Sequence, residues 1–245
     1  MVVAPFGVDC CGQALSKGEF AARPQVGSVR AAACGQRCDV TTLNLFPIAD
    51  SWRAVAIADA DVALLPSAPL SVPAQLLFDR LQAETPWRSE TITLWGKSYP
   101  QPRLTAWFGD EGKTYTYSGI SMAPQPWTPL LSQLKREVET LTNTAFNSVL
   151  VNLYRNNRDS MGFHSDDEPE LGAEPAIASL SLGHERTLVF KRKGGHKVPP
   201  VRVPLPSGSL LLMRGGTQRH WQHGITKQDR ICGPRINLTF RQIVL

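Results

Sequence analysis

Cysteine is scarce in most of this sequence, and long hydrophobic segments are absent. Four of the five cysteines fall before residue 40, which leaves Cys232 alone in the rest of the chain. The longest strictly apolar run, AVAIA at 54–58, is too short to cross a bilayer. The first residues lack the charged and apolar regions of a signal peptide. We therefore expect no structural disulfide bond, no membrane partner, and a reducing compartment, either bacterial cytoplasm or a eukaryotic nucleus.

The sequence also lacks a strong excess of one charge. With 26 lysines and arginines against 21 acidic residues, the formal net charge is +5 and the isoelectric point is about 9.1. This balance permits a polyanionic partner without requiring one. The four N-terminal cysteines have spacings that fit no common zinc motif.

Composition divides the 245 residues into two parts. Residues 1–42 are rich in Ala, Gly, Arg and Cys and have no hydrophobic period, so we predict a disordered extension there. The remainder, 43–245, suits one domain with a sizeable core. Within it, the Gly-, Pro- and Tyr-rich stretch 86–127 is predicted to form loops or hairpin strands.

Two amphipathic helices are predicted in the first half of this domain. The first covers 71–84, with Ser71 as its capping residue. The second covers 128–143, with Thr128 as its cap and Pro129 at its first position. Leucines and a valine recur at helical spacing in the second segment, so one of its faces should pack on the core.

After residue 146 the chain becomes a series of short β-rich runs separated by Gly, Pro and Asp. This texture predicts a mainly β protein with flanking helices (α+β) and a sandwich or jelly-roll core, rather than a βαβ sheet. The predicted strands are 148–154, 162–166, 177–183, 186–192, 201–205, 209–214, 220–225 and 235–243, with the last one regular only to about Arg241.

The final strand, RINLTFRQI, has two chemically different faces. Arg235, Asn237, Thr239 and Arg241 alternate on one face, and three apolar residues alternate on the other. The ordinary interpretation places the arginine face in water. If it points instead into a sandwich, as Asn152 and Tyr154 of the first strand could, the buried guanidinium groups need an anion. A small dicarboxylate would match them by bidentate hydrogen bonds.

Two short histidine motifs suggest a metal site. In FHSD, His164 and Asp166 are two residues apart and share one face of an extended segment. In HWQHGI, His223 shares its face with Trp221 and Ile225, so we expect it to point inward and His220 outward. Two histidines and one carboxylate form the ligand set of non-haem Fe(II) oxygenases. H-x-D alone is a weak signal, and it is more often a surface pair.

The motifs GFHSDDE, WQHGI and PRINLTFRQI, in this order and spacing, resemble the AlkB family of Fe(II)/2-oxoglutarate dioxygenases. The resemblance includes GKTYTYSG and FNSVLVNLYRN, covers about 85–243, and is closest to the branch of AlkB homologues that repairs double-stranded DNA. It implies a double-stranded β-helix (jelly roll) core. It also implies three cofactors or cosubstrates, namely Fe(II), 2-oxoglutarate and O₂.

The resemblance implies a role for each residue at the centre of the site. Iron would be held by His164, Asp166 and His223. Arg235 would pair with the distal carboxylate of 2-oxoglutarate and Arg241 with the carboxylate nearer the metal. The full set of implied 2-oxoglutarate ligands is Asn152, Tyr154, Arg235, Asn237 and Arg241. The ordinary alternative for this set is a structural polar cluster.

Further residues are implied to contact the substrate. Tyr117, with Tyr115 on the same stretch, would stack a flipped base against His164, whereas aromatic residues in such strands are usually core. Asp167 and Glu168 would accept hydrogen bonds from a base, or would form a solvated loop. Trp95 would act as a finger that fills the gap left by an extruded base, or would be buried under nearby loops.

Basic residues in the loops are candidate phosphate contacts, although charged runs are usually solvated. The candidates are Lys97, Lys191, Arg192, Lys193, Lys197, Arg219 and Lys227.

The resulting hypothesis is oxidative demethylation of 1-methyladenine or 3-methylcytosine in single- or double-stranded DNA, by a monomer. The reaction would release succinate, CO₂ and formaldehyde. One alternative is a dioxygenase acting on methylated RNA or on a protein side chain. Another is a non-catalytic jelly roll that binds nucleic acid.

Overall fold

A computed structural model describes residues 51–94, 97–113, 115–117, 120–122, 124–195 and 198–244. The predicted extension at 1–42 lies outside these residues. The strands are β1 Arg53–Ala54, β2 Asp61–Leu65, β3 Thr91–Leu94, β4 Lys97–Pro100, β5 Leu104–Gly109, β6 Tyr115–Tyr117, β7 Ile120–Met122, β8 Ser148–Tyr154, β9 Met161–His164, β10 Ile177–Gly183, β11 Arg186–Arg192, β12 Val201–Leu205, β13 Leu210–Arg214, β14 Trp221–Ile225 and β15 Arg235–Arg241. The helices are α1 Ala74–Glu84, α2 Pro129–Thr142 and the short α3 Thr217–His220, with a 3₁₀ turn at Pro169–Leu171.

Two antiparallel sheets form the core. Within the described residues, the larger sheet has seven strands in the order β1-β2-β13-β10-β15-β8-β5, and the smaller has four in the order β12-β11-β14-β9. The eight strands predicted after residue 146 divide equally between these sheets. The hairpins β3–β4 and β6–β7 are separate from both, so the hairpin prediction for parts of 86–127 is confirmed. The prediction of a mainly β jelly roll with flanking helices is confirmed as well.

The larger sheet is buried on both faces. Leu77 and Leu81 of α1, with Leu134 and Val138 of α2, pack against one face of β8, β10 and β15. The opposite face meets the smaller sheet through residues such as Phe190. The ordinary interpretation of RINLTFRQI is therefore wrong, because the helices cover its apolar face while its arginine face points into the sandwich.

The helix caps differ between the two long helices. Thr128 caps α2 as predicted, since its side-chain oxygen accepts a hydrogen bond from the Leu131 N–H at 3.2 Å. Ser71 does not cap α1, because the helix begins only at Ala74, after Pro73 in extended geometry. Ser71 instead donates its hydroxyl proton to Glu137 of α2.

Several element boundaries correct the sequence predictions. β9 ends at His164, two residues before its predicted end, and β14 begins at Trp221 because His220 completes the helical turn of α3 with its N–H on the Gly216 carbonyl. β2 and β5 are not identified from the sequence. Their short apolar runs pair with strands far away in the chain, β13 and β8 respectively.

Gly183 at the end of β10 provides a test of how closely α1 packs on the sheet. Its φ is +83°, and a Cβ there would lie 2.7 Å from both Phe78 and the Pro234 carbonyl oxygen. Gly183→Ala should lower the free energy of unfolding by about 1–2 kcal/mol for the backbone and by about 1–3 kcal/mol more for overpacking. Urea unfolding followed by circular dichroism measures the sum.

Gly112→Ala is the matched control, because its φ is +79° but a Cβ there meets nothing within 4 Å. Gly112→Ala should lower the free energy of unfolding by only the backbone contribution of about 1–2 kcal/mol. Equal losses in the two variants would contradict the packing argument.

Candidate active site

A cavity between the two sheets is lined by seven of the eight residues predicted to bind the metal or 2-oxoglutarate. Its polar wall comes from β8 and β15 of the larger sheet, and the facing wall comes from β9, β11 and β14 of the smaller one. Among the described residues, the cavity is lined by Leu150, Asn152, Tyr154, Met161, His164, Ser179, Leu188, Met213, His223, Gly224, Ile225, Arg235, Asn237, Thr239 and Arg241.

Two histidines and one carboxylate converge at the edge of this cavity. His164 and His223 face each other as a cross-strand pair of β9 and β14, with ring centroids 4.5 Å apart. The Asp166 oxygens lie 3.9 Å from Nε2 of His164 and 3.7 Å from Nε2 of His223. One candidate donor atom from each residue lies within 4.8 Å of the others. His220 does not belong to this cluster, but the reason differs from the prediction, because His220 lies in α3 and not on the outward face of β14.

The hydrogen bonds around the cluster leave the right atoms available for a cation. Nδ1 of His164 lies 2.9 Å from the Gly162 carbonyl oxygen, which can only accept a hydrogen bond. In the neutral tautomer that donates from Nδ1, Nε2 keeps its lone pair. Oδ2 of Asp166 is buried and has no hydrogen-bond partner among the described residues. Both features fit a metal ion between the three side chains.

The electrostatic surroundings also favour metal binding. Burial alone raises the pKa of the Asp166 carboxyl, but Arg241 and the two histidines reverse this effect and lower the pKa to about 2. Burial, assisted by His164, lowers the pKa of His223 to about 3. At neutral pH the carboxylate is therefore charged and His223 is neutral, which are the forms that bind cations.

Arg241 connects this cluster to the larger sheet. Its Nη2 donates a hydrogen bond to Oδ1 of Asp166 at 2.6 Å, and both side chains are buried. A buried carboxylate without such a partner would be strongly destabilising. The arginine predicted to bind a cosubstrate carboxylate therefore also holds a candidate metal ligand.

Arg235 places an unsatisfied positive charge deeper in the cavity. Its Nη2 donates to the Ser181 hydroxyl at 2.9 Å, but Nε and Nη1 are buried without a hydrogen-bond partner among the described residues. Burial lowers its pKa to about 10, with Tyr154 acting in the opposite direction, so the group stays charged at neutral pH. Unsatisfied donors on a buried, positively charged guanidinium fit an anionic cosubstrate.

Two further predicted residues line the cavity but already have protein partners. The Asn152 side-chain oxygen accepts a hydrogen bond from Nε of Arg103 at 2.9 Å. The Asn237 amide donates to the Ser179 hydroxyl at 2.8 Å, and its oxygen accepts from Thr239 at 3.0 Å. These bonds fix the orientation of both amides before any ligand binds.

Sequence reasoning missed two buried arginines near the site. Arg103 holds Asn152 from a position just before β5. Arg186 lies behind Tyr154, 5.8 Å from its ring centroid, and donates to the carbonyls of Asp159 and Thr226. Neither has a local signal, because each acts on residues more than 25 positions away in the chain.

The structure describes the side chains of only some of the candidate substrate contacts. Tyr115 and Tyr117 belong to β6, which pairs with β7, but their side chains lie outside what the structure describes, as does Trp95. Asp167 binds Lys193 through an ion pair of 2.7 Å. Glu168 is half-buried and precedes the 3₁₀ turn.

Several of the predicted phosphate contacts are engaged with protein groups. Arg192 pairs with Asp59 at 2.7 Å, and Arg219 lies 3.6 Å from Glu174. The Lys191 ammonium lies 3.8 Å from the ring centroid of Phe163, and Lys227 is exposed. Lys197 and the side chain of Lys97 lie outside the described residues.

The jelly roll and the converging donors together define a class of protein, in which two histidines and one carboxylate bind a metal inside a β-sandwich. Residues 64–241 match the family described as the 2OG-Fe(II) oxygenase superfamily. The chain belongs to this superfamily. The part of the chain that the structure describes has no helix that is both long and apolar enough to span a membrane.

Curated relatives include two types of AlkB homologue. "Alpha-ketoglutarate-dependent dioxygenase alkB homolog 3" of Homo sapiens is 46% identical over 178 residues, which is 69% of this chain and 62% of the relative. "DNA oxidative demethylase ALKBH2" of Homo sapiens is 39% identical over 178 residues, which is 69% of this chain and 68% of the relative. The chain thus spans 62% of the length of the alkB homolog 3 protein. The solved "structure of OsALKBH1" is similar in fold, with a TM-score of 0.58 at 17% identity, over 78% of this chain and 100% of that one.

The Arg241–Asp166 ion pair leads to a stability prediction. Arg241→Met should lower the free energy of unfolding of the metal-free protein by about 3–5 kcal/mol, because it leaves the Asp166 carboxylate buried without its partner. Adding Asp166→Asn should recover much of this loss. Urea unfolding of the single and double variants measures the coupling.

The surface pair Arg214–Asp61, whose side chains are 44% and 53% exposed, provides the control. Arg214→Met should change stability by no more than about 1 kcal/mol. A loss in Arg241→Met as small as in Arg214→Met would contradict the assignment of Arg241 as the partner of a buried charge.

Proposed function

We propose that this protein is an Fe(II)- and 2-oxoglutarate-dependent dioxygenase that removes N-linked methyl groups from nucleobases in DNA. The observation that carries the proposal is that three candidate metal ligands and a buried guanidinium, two of whose nitrogens lack a hydrogen-bond partner among the described residues, meet at one cavity. Membership of the superfamily and the printed names of the relatives support it.

His164, Asp166 and His223 would hold the metal on one face and leave the side toward the cavity open to ligands. Arg235 would bind the distal carboxylate of 2-oxoglutarate through its guanidinium, with Tyr154 beside it. Arg241 already contacts Asp166, and it would steady both the metal ligand and the nearer carboxylate. Asn152 and Asn237, held by their protein partners, would complete the polar wall.

The chemistry that bound iron and 2-oxoglutarate would supply is the oxidation of a methyl group, coupled to conversion of 2-oxoglutarate and O₂ to succinate and CO₂. The oxidised product would then lose formaldehyde. The chain supplies position and environment. Burial of Asp166 and His223 keeps water away from the ligands, and the pKa shifts keep both residues in their metal-binding forms. The half-buried His164 lies at the more open side of the cluster.

A base within a duplex cannot reach this cavity, so the substrate base would have to flip out of the helix. Tyr117 and Tyr115 are proposed to stack the base, Asp167 and Glu168 to accept its hydrogen bonds, and Trp95 to fill the vacated position. Methylated RNA is the principal alternative substrate. Its metal and cosubstrate residues would be the same.

Matched histidine variants test the function. The protein is loaded anaerobically with iron, given 2-oxoglutarate and O₂, and assayed on 1-methyladenine in single-stranded and duplex oligonucleotides. Wild type and His220→Ala should release succinate and formaldehyde, and His223→Ala should release neither, because it lacks one metal ligand.

The two products separate the possible outcomes. Succinate without demethylation of DNA would contradict the DNA substrate, and the same assay on methylated RNA would then be decisive. No turnover of 2-oxoglutarate by iron-loaded wild type would contradict the enzyme proposal.

A further inference from the structure

The candidate metal carboxylate, that of Asp166, lies in a segment that belongs to no strand. β9 ends at His164, so Ser165, Asp166 and Asp167 lack the regular hydrogen bonds of a sheet. Asp166 is completely buried, and its backbone N–H must find an acceptor inside the protein. The position of its side chain therefore depends on whatever bonds fix this irregular segment.

Each of these three residues is tied to one short stretch of chain, Gln218–Trp221. The Asp166 N–H donates to the side-chain oxygen of Gln218 at 3.0 Å. The Ser165 hydroxyl donates to the Trp221 carbonyl at 2.9 Å. Asp167 accepts a hydrogen bond from Nζ of Lys193 at 2.7 Å, and the same Nζ donates to the Gln218 carbonyl at 2.8 Å.

The stretch that receives these bonds is itself fixed at both ends. At its start, the Thr217 hydroxyl oxygen accepts from the Asp61 N–H at 3.0 Å. Near its end, Lys193 donates its backbone N–H to the His220 carbonyl at 2.9 Å, while its Nζ binds the Gln218 carbonyl nearer the start. A cation at the carbonyl end of a helical turn satisfies groups that would otherwise lack donors.

We propose that Gln218 is a positioning residue for the metal site, and that Lys193 braces it. This inference rests on the proposed metal-binding function. Gln218 holds the backbone of Asp166 from one side while Arg241 holds its carboxylate from the other. Without the Gln218 bond, the ion pair to Arg241 draws the carboxylate toward the larger sheet, away from His164 and His223.

Mn(II) binding to the metal-free full-length protein tests this role without using turnover. The concentration of free Mn(II) is measured by electron paramagnetic resonance during a titration. Gln218→Met preserves the length of the side chain but removes the acceptor, and it should weaken Mn(II) binding about 10- to 100-fold. Gln228→Met is the control, because Gln228 is partly buried but lies in the β14–β15 loop. The Mn(II) affinity of this variant should equal that of wild type.

Lys193 supplies a second test that does not depend on a fully buried position, since its side chain is 29% exposed. Lys193→Met should weaken Mn(II) binding several-fold, less than Gln218→Met, because the bond from Gln218 to Asp166 survives. Lys193→Arg keeps the cation and its donors and should restore most of the affinity.

A purely structural role gives a different result. If Gln218→Met lowers the melting temperature of the metal-free protein but leaves the Mn(II) dissociation constant unchanged, the positioning role is overturned. If wild type and His223→Ala bind Mn(II) equally, the proposed metal site itself fails, and the inference fails with it.

Discussion

The buried ion pair between Arg241 and Asp166 joins the two walls of the site. Asp166 follows a strand of the smaller sheet, whereas Arg241 ends a central strand of the larger one. Their contact of 2.6 Å makes the geometry of the candidate metal ligands dependent on how the two sheets pack. Loss of either partner would leave a charge inside the sandwich, so the fold and the site share this constraint.

The charges of the cavity explain why it suits an anion and a cation together. Arg235 and Arg241 line the cavity and are both buried, and the one carboxylate in the metal cluster of the described residues is that of Asp166. Arg241 binds one oxygen of this carboxylate, while Nε and Nη1 of Arg235 have no acceptor among the described residues. A dicarboxylate bound together with a divalent metal would add no net charge to the site, and it would give Arg235 an acceptor.

The predictions that rest on alternation were the most successful. The inward face of His223 and the shared face of Arg235 and Arg241 follow from a period of two, whereas the eight strands after residue 146 follow from β-rich runs separated by Gly, Pro and Asp. Which layer covers the apolar face of β15 could not be predicted from alternation, because the covering helices are distant from β15 in the sequence. The hydrogen bond from the Asp166 N–H to the Gln218 side-chain oxygen spans 52 residues and leaves no local pattern. The sequence predicts that Asp167 contacts a base or lies in a solvated loop, and its contact with Lys193 appears only in three dimensions.

The burial of both faces of β15 also affects how reliably the chain can fold. A slip of one residue in its pairing with β8 or β10 would turn Ile236, Leu238 and Phe240 toward the cavity and drive two guanidinium groups into the helix-covered core. Such a register would bury charge without any partner. The arginines that we assign to ligand binding therefore also select the correct strand register, and replacing them with apolar residues would remove a safeguard against misfolding.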